Sequence, residues 1–219
     1  MYHSAHISYP VVFVDHYDSF SWNIIELLAK IPPTPHIHFD IRHVYYDSKE
    51  LFSLTESLKK ACFILSPGPK SPHHMQSSQK LYHSFKNTHP FLGICLGHQI
   101  MGICEGYTIK KATAPFHGTT RLMSIKDDGG YFCKQSSYQL ASYNSLCLDK
   151  PPPHTKTKMN ILAYDDKGDI AAIGIPQPTT APIALGIQLH PESFLSKDGD
   201  KIVRSFLWQA AAYHYSESL

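Results

Sequence analysis

The chain contains no apolar run approaching the ~18 residues that a membrane-spanning helix requires, which excludes an integral helical membrane protein. Its opening, MYHSAHISYP, lacks the basic-then-apolar order of a secretory signal. Residues 1–10 are therefore expected to form a short extension, and the protein to stay in the cytoplasm. Charge of one sign is also missing: 20 Lys+Arg stand against 18 Asp+Glu, for a net charge of +2. No segment gathers lysine or arginine with aromatics on one face, so nucleic acid is not expected as a partner. The five cysteines, at positions 62, 95, 104, 133 and 147, are odd in number and include no CxxC pair. That pattern fits reduced thiols and not a disulfide framework. The fifteen histidines scatter, and the adjacent His73 and His74 have no cysteine or carboxylate at ligand spacing. No metal and no cofactor is expected.

What is present is an ordinary globular composition, 42% hydrophobic over 219 residues, enough for one large domain expected over 11–210 with a tail at 211–219. The run VVFVD (11–15) reads as a strand, and SFSWNIIELLAKI (19–31) as a helix with Phe20, Ile24, Leu27, Leu28 and Ile31 on one face. Asp18 or Ser19 supplies a capping oxygen, and the prolines of IPPTP stop the helix. A second strand falls near HIHFDIRHV and a short helix over SKELFSLTESLKKA. CFILSPGP (62–69) and PFLGIC (90–95) read as buried strands, the latter running into a helix at LGHQIMGICEG. This alternation predicts an α/β fold: a single domain built on a mostly parallel central sheet with helices on both faces. The second half instead offers short strands joined by turns, GTTRLMSI, YQLASYNSLCL, MNILAYDD, IAAIGI and IALGIQLH, with a proline-rich loop at 150–158. These predict a small extra antiparallel or mixed sheet within the same domain.

The chemistry concentrates where the strand at 90–95 becomes a helix. Gly93-Ile94-Cys95-Leu96-Gly97 has the spacing of a nucleophile elbow, a tight strand-to-helix turn with the central residue at its tip. A thiol there feels the positive end of the helix dipole, which favours the attacking thiolate. The N–H of Leu96 is placed to face a developing oxyanion. A base and its orienter are supplied by QLHPES (188–193), where His190 and Glu192 share one side of a strand end. Cys95, His190 and Glu192 together make a Cys-His-Glu triad in which His190 takes the thiol proton and returns it to a leaving amine. Gln99, one turn beyond Cys95, lies on the same helical face.

LSPGP (65–69), GICLGHQ (93–99), His117-Gly118, Ser145-Leu146 and HPES (190–193) stand in an order that resembles the class I, or triad, glutamine amidotransferases. The opening DHYDSFSWN (15–23) is similar to the component II subunits of anthranilate synthase and aminodeoxychorismate synthase, and the likeness runs from Asp15 to about Phe206. The resemblance implies a flavodoxin-like domain and a glutaminase: Cys95 attacks the side-chain amide of L-glutamine, His190 protonates the ammonia, and water releases glutamate. It implies that Gly68 adds a second oxyanion N–H beside Leu96, that Gln99 holds glutamine, and that the backbone of Ser145 and Leu146 takes the amino-acid end. The ammonia is expected to pass to a chorismate-binding synthase subunit (component I), for anthranilate or for aminodeoxychorismate. The alternative readings are a stand-alone γ-glutamyl hydrolase and a catalytically weakened subunit kept for binding or regulation.

Three positions depart from that family. Lys70 stands where PGPG would place glycine, Asn144 where a histidine tends to precede Ser-Leu, and Thr119 where a lysine often follows His-Gly. None belongs to the triad. Around the first strand and helix, His16, Tyr17 and Trp22 are candidates to face a partner, with core packing the expected role of Trp22.

Overall fold

The computed structural model describes residues 7–34, 36–114, 118–177 and 180–215. Its centre is a nine-stranded sheet. Five strands are mutually parallel: β1 (Ile7–Asp15), β2 (Ile37–Tyr45), β3 (Cys62–Leu65), β4 (Phe91–Ile94) and β11 (Ala184–Ile187). The remaining four, β6 (Thr119–Ile125), β7 (Ser137–Ser142), β9 (Asn160–Asp165) and β10 (Ile170–Gly174), continue it antiparallel. Across the sheet the order is β2-β1-β3-β4-β11-β10-β9-β6-β7. A separate two-stranded antiparallel sheet joins β5 (Thr108–Lys111) to β8 (Leu146–Asp149). The α/β expectation holds. Most of the second-half strands, however, extend the main sheet, because β10 pairs directly with β11.

The parallel strands are apolar on both sides because both faces are covered. On one face Val11, Phe13, Ile64 and Ile94 pack with Ile24 and Leu28 of α1 (Ser21–Ala29) and with Ile202, Val203 and Phe206 of α5 (Gly199–Tyr215). On the other, Val12, Val14, Phe63 and Leu65 meet Leu51 of α2 (Glu50–Ser57), Leu81 of α3 (Gln76–Phe85), and Leu96 and Ile100 of α4 (Leu96–Cys104). β1 begins at Ile7, four residues ahead of the run at 11–15. α5 runs on to Tyr215. The Asp18 carboxylate accepts the Phe20 N–H at 2.8 Å just before α1, but Phe20 is the capping residue and no side chain caps the helix, so neither Asp18 nor Ser19 supplies the expected bond: the Asp18 oxygen is spent on the turn that precedes it. Trp22 is not in the core but 68% exposed. The buried stripe of α1 is Ser21, Ile24 and Leu28, and Trp22 sits a further 100° round the helix, toward solvent.

Burial also fixes the state of several histidines. His16 is buried and held near pKa 4 by desolvation, with Asp15 and Ser66 opposing the shift only in part. Desolvation likewise brings His98 to about 3. Both rings are neutral in the folded chain at neutral pH, yet titrate near 6.5 when unfolded, so the unfolded state takes up their protons first as pH falls. Their stabilisation is complete above about pH 6.5 and is lost as pH drops toward 4, on the order of 3 kcal/mol for each. Urea unfolding at a series of pH values from about 7 to 4.5 should show the midpoint falling steeply. His98→Phe should flatten that dependence.

Candidate active site

Neighbouring parallel strands end together, and their C-terminal loops meet in one crevice, the usual place for a ligand in an open α/β sheet. β4 delivers Cys95 and β11 delivers Gln188 beside it, since Ile94 pairs with Ile187 in register. The Cys95 N–H donates to the Ile187 carbonyl at 2.8 Å. Cys95 itself has φ 51° and ψ −101°, a backbone conformation that costs a non-glycine residue on the order of 1–3 kcal/mol. It is the residue before the first turn of α4, so the elbow predicted at 93–97 is present.

The two flanking glycines have a different purpose from the conformational one. Neither is among the positive-φ residues. A Cβ on Gly93 would lie 2.5 Å from the Gly97 carbonyl carbon, and one on Gly97 would lie 2.2 Å from the Leu65 carbonyl oxygen. They let α4 start against the backbone of β3 and β4. Gly68 is similar: a Cβ there would meet Leu96 and His16 at 2.6 and 2.7 Å. His16 in turn bridges two hydroxyls, Ser66 Oγ at 3.0 Å from Nδ1 and Ser78 Oγ at 2.8 Å from Nε2, and so braces the Ser66–Pro69 loop. His16 is thus a buried brace and does not face a partner. The Gly68 and Leu96 N–H groups donate to no described residue.

His190 follows β11, its N–H donating to Ala141 at 2.9 Å and its carbonyl accepting Ser196 Oγ. The ring Nδ1 sits 2.7 Å from Glu192 Oε1, with both side chains almost wholly buried. Nε2 is buried and makes no hydrogen bond to a described residue. Burial works against a charge on this ring. The adjacent Cys95 and Glu192 outweigh it and hold the His190 pKa well above its ordinary value. The proton therefore rests on the imidazole, flanked by two groups able to carry negative charge. Tyr143 closes one side of the ring edge-on, 4.9 Å between centroids, and is itself fixed by Ser193 Oγ at 3.0 Å.

In front of Cys95 lies a cavity of about 240 Å³, lined by Gly68, Lys70, Cys95, Leu96, Gln99, Tyr143, Asn144, Ser145 and Leu146 among others. All the residues expected to bind substrate or oxyanion thus border one space, and His190 and Glu192 stand behind the thiol. Asn144 is accommodated: its Oδ1 accepts Ser142 Oγ at 2.9 Å and its Nδ2 donates to the Leu146 carbonyl at 3.0 Å. Gln99 Nε2 donates to the same carbonyl at 2.9 Å. The Ser145 carbonyl accepts the Ala112 N–H at 3.0 Å. In this segment the Ser145 N–H and hydroxyl donate to no described residue. Lys70, at the pocket wall, is 3.4 Å from Tyr46 OH. Thr119 starts β6, away from this pocket, and His117 lies outside the described residues. A larger cavity of about 540 Å³ between α1 and α5 includes Glu192 and the 85%-exposed Phe194 but not Cys95.

Two residues of the site escaped sequence reasoning, Tyr143 and Gln188. Gln188 Nε2 lies 3.5 Å from Cys95 Sγ. Its register opposite Cys95 in a paired strand is a signal that appears only once β4 and β11 are known to be neighbours. Among the described residues no group of three or more His, Cys, Asp or Glu is placed to hold a metal ion, and no helix is long and apolar enough to cross a membrane.

A model of the family Glutamine amidotransferase class-I matches residues 12–210. Anthranilate synthase component 2 of Cyanidium caldarium is 30% identical over 199 residues, which are 90% of this chain and 97% of that protein. Aminodeoxychorismate synthase component 2 of Klebsiella aerogenes is 28% identical over 200 residues, 90% of this chain and 98% of that one. The bifunctional protein TrpGD of Thermotoga maritima is 28% identical over 90% of this chain, but the match spans about a third of that longer protein, 32%. Among solved structures, a glutamine amidotransferase of Thermotoga maritima superposes with a TM-score of 0.60 at 14% identity, covering 98% of this chain and 85% of the other. That likeness concerns the fold.

The Glu192 contact generates a pH prediction. A rate that needs protonated His190 should stay level through neutral pH and fall only on the alkaline side, as the raised pKa is passed. Glu192→Gln removes one of the groups that raise it. The alkaline limb of the pH–rate profile for amide hydrolysis should then move to lower pH by about one unit or more.

Proposed function

We propose that this chain, which belongs to the class-I glutamine amidotransferase family, is the cytoplasmic glutaminase subunit of a chorismate-using synthase. The observation that carries this is one pocket lined together by a strained cysteine, by Gly68 and Leu96 with their undonated backbone N–H groups, and by Gln99. The relatives named as component 2 of anthranilate synthase and of aminodeoxychorismate synthase support the choice of acceptor. L-Glutamine enters with its amino-acid end toward Ser145 and Leu146 and its side-chain amide beside Cys95.

The geometry supports the following course of reaction. With the Cys95 proton held on His190 Nε2, the sulfur adds to the amide carbon. The charge that develops on the amide oxygen is met by the N–H groups of Gly68 and Leu96, a preorganised arrangement whose single donors are each worth roughly 3 kcal/mol in related acyl transfers. Collapse breaks the C–N bond, and His190 returns the proton to the departing ammonia. Water then adds to the thioester, with His190 as base, and glutamate leaves as the thiolate is restored. Glu192 holds the imidazole in the orientation that serves both steps. Ammonia released here is consumed by the component I subunit, which aminates chorismate.

The test is the rate of glutamate formation by the purified chain, alone and with chorismate plus an anthranilate synthase or aminodeoxychorismate synthase component I. A low rate alone that rises with one partner is expected, and that partner identifies the product. A full rate without either would instead favour a free γ-glutamyl hydrolase, and no rate with both would favour a binding subunit. Cys95→Ser should keep the unfolding free energy within about 0.5 kcal/mol of the parent and lose glutamate formation by several orders of magnitude.

A further inference from the structure

Three amides form a chain that ends on the nucleophile. The Leu146 carbonyl can only accept, so the Gln99 side-chain atom 2.9 Å from it is the nitrogen. That same nitrogen lies 3.1 Å from the next side chain, which must present oxygen to it: Gln188 Oε1. The remaining end of Gln188 is then its nitrogen, 3.5 Å from Cys95 Sγ. Asn144 Nδ2 fills the second lone pair of Leu146 at 3.0 Å. Gln99 and Gln188 are both buried, and each amide is held in its orientation by the bond to its neighbour. The direction of the last N–H is therefore dictated by a main-chain carbonyl two residues removed along the chain of bonds.

We propose that Gln188 is a further catalytic residue, whose side-chain N–H holds the Cys95 sulfur in its anionic form in an orientation imposed by the Leu146 carbonyl through Gln99. The inference rests on the reading of Cys95 as the nucleophile. An amide N–H bonds a thiolate far better than a thiol, because the acceptor is charged. It therefore acts at two moments. Before attack, when the Cys95 proton has moved to His190 Nε2, it stabilises the sulfur anion. After water has added to the thioester, the C–S bond breaks, the electron pair returns to sulfur and the same N–H receives it. During the thioester itself the N–H faces a neutral sulfur, so the intermediate gains nothing that would slow its hydrolysis. The polarity also starts at Leu146, in the segment proposed to take the amino-acid end of the substrate.

The experiment is alkylation of Cys95 by iodoacetamide in the full chain, followed by mass of the peptide bearing Cys95 over about pH 5 to 9, with glutamate formation measured beside it in the presence of the partner subunit. Gln188→Leu keeps the size of the side chain and removes the donor. The alkylation profile is expected to move to higher pH by about one unit, and kcat to fall about tenfold or more while KM changes less than about threefold. Gln99→Glu is the second variant. A carboxylate at position 99 accepts from Gln188, turns its amide, and brings oxygen toward the sulfur. The same alkaline shift is expected from a residue whose side chain makes no hydrogen bond to Cys95, and it remains readable if Gln188→Leu does not fold. A role in packing alone would lower labelling at every pH without moving the profile. Profiles that coincide with the parent within about 0.2 unit in the folded variants would overturn the proposal. Labelling of Cys95 needs no turnover, so a parent chain that releases no glutamate with any partner defeats the glutaminase reading while the two profiles still decide the role of Gln188.

Discussion

The backbone at Cys95 turns left-handed, and most of the surrounding architecture is arranged around that turn. A side chain at φ 51° is opposed by its own Cβ, so something outside the residue must hold it. The N–H bond to Ile187 on β11 fixes one side, and the Gln99 N–H bond to the Cys95 carbonyl, at 3.1 Å, fixes the other. The approach of α4 to β3, closer than any Cβ would permit at Gly93 or Gly97, leaves the chain nowhere else to go. The same contact that strains the backbone raises the sulfur above the strand ends, where the loops after β1, β3 and β11 gather.

A second layer of buried bonds holds those loops. Asp15 accepts the Tyr17 N–H at 2.8 Å and Ser21 Oγ at 2.6 Å and pairs with His43 at 2.9 Å, which fixes the turn between β1 and α1. Tyr17, held at φ 61°, stacks on Tyr45 with centroids 4.6 Å apart. Tyr17, Tyr45 and Trp22 all stand well exposed along this edge of the crevice. On the inner side the neutral ring of His16 ties Ser66 to Ser78. The site is thus set by short polar bonds between loops laid over an apolar sheet, and each loop has its own brace.

How much of this was legible in the residues depended on whether the signal was local. The parallel strands announced themselves as unbroken apolar runs, and Cys95, His190 and Glu192 stood in compact motifs whose spacing carries chemistry. Trp22 is exposed where core packing is expected because α1 buries Ser21, Ile24 and Leu28, a narrower stripe than its apolar content suggests. α3 escaped because its sequence, QSSQKLYHSF, is mostly polar and its buried side is only Ser78, Leu81 and Tyr82. The continuation of the sheet through β10 was invisible for another reason: strand order is decided by pairing across the chain, which no short window contains. Gln188 belongs with that class of residue, since only the register of β11 against β4 brings it to the sulfur.

The elbow has a consequence for how such a chain ages. Gly93 and Gly97 are kept by packing, whatever reaction the chain performs, while Cys95 occupies a conformation that glycine would adopt at lower cost. Replacement by glycine, which is tolerant of that conformation, would relieve the backbone strain and remove the thiol. The reaction proposed for its sulfur is the use that would offset that cost.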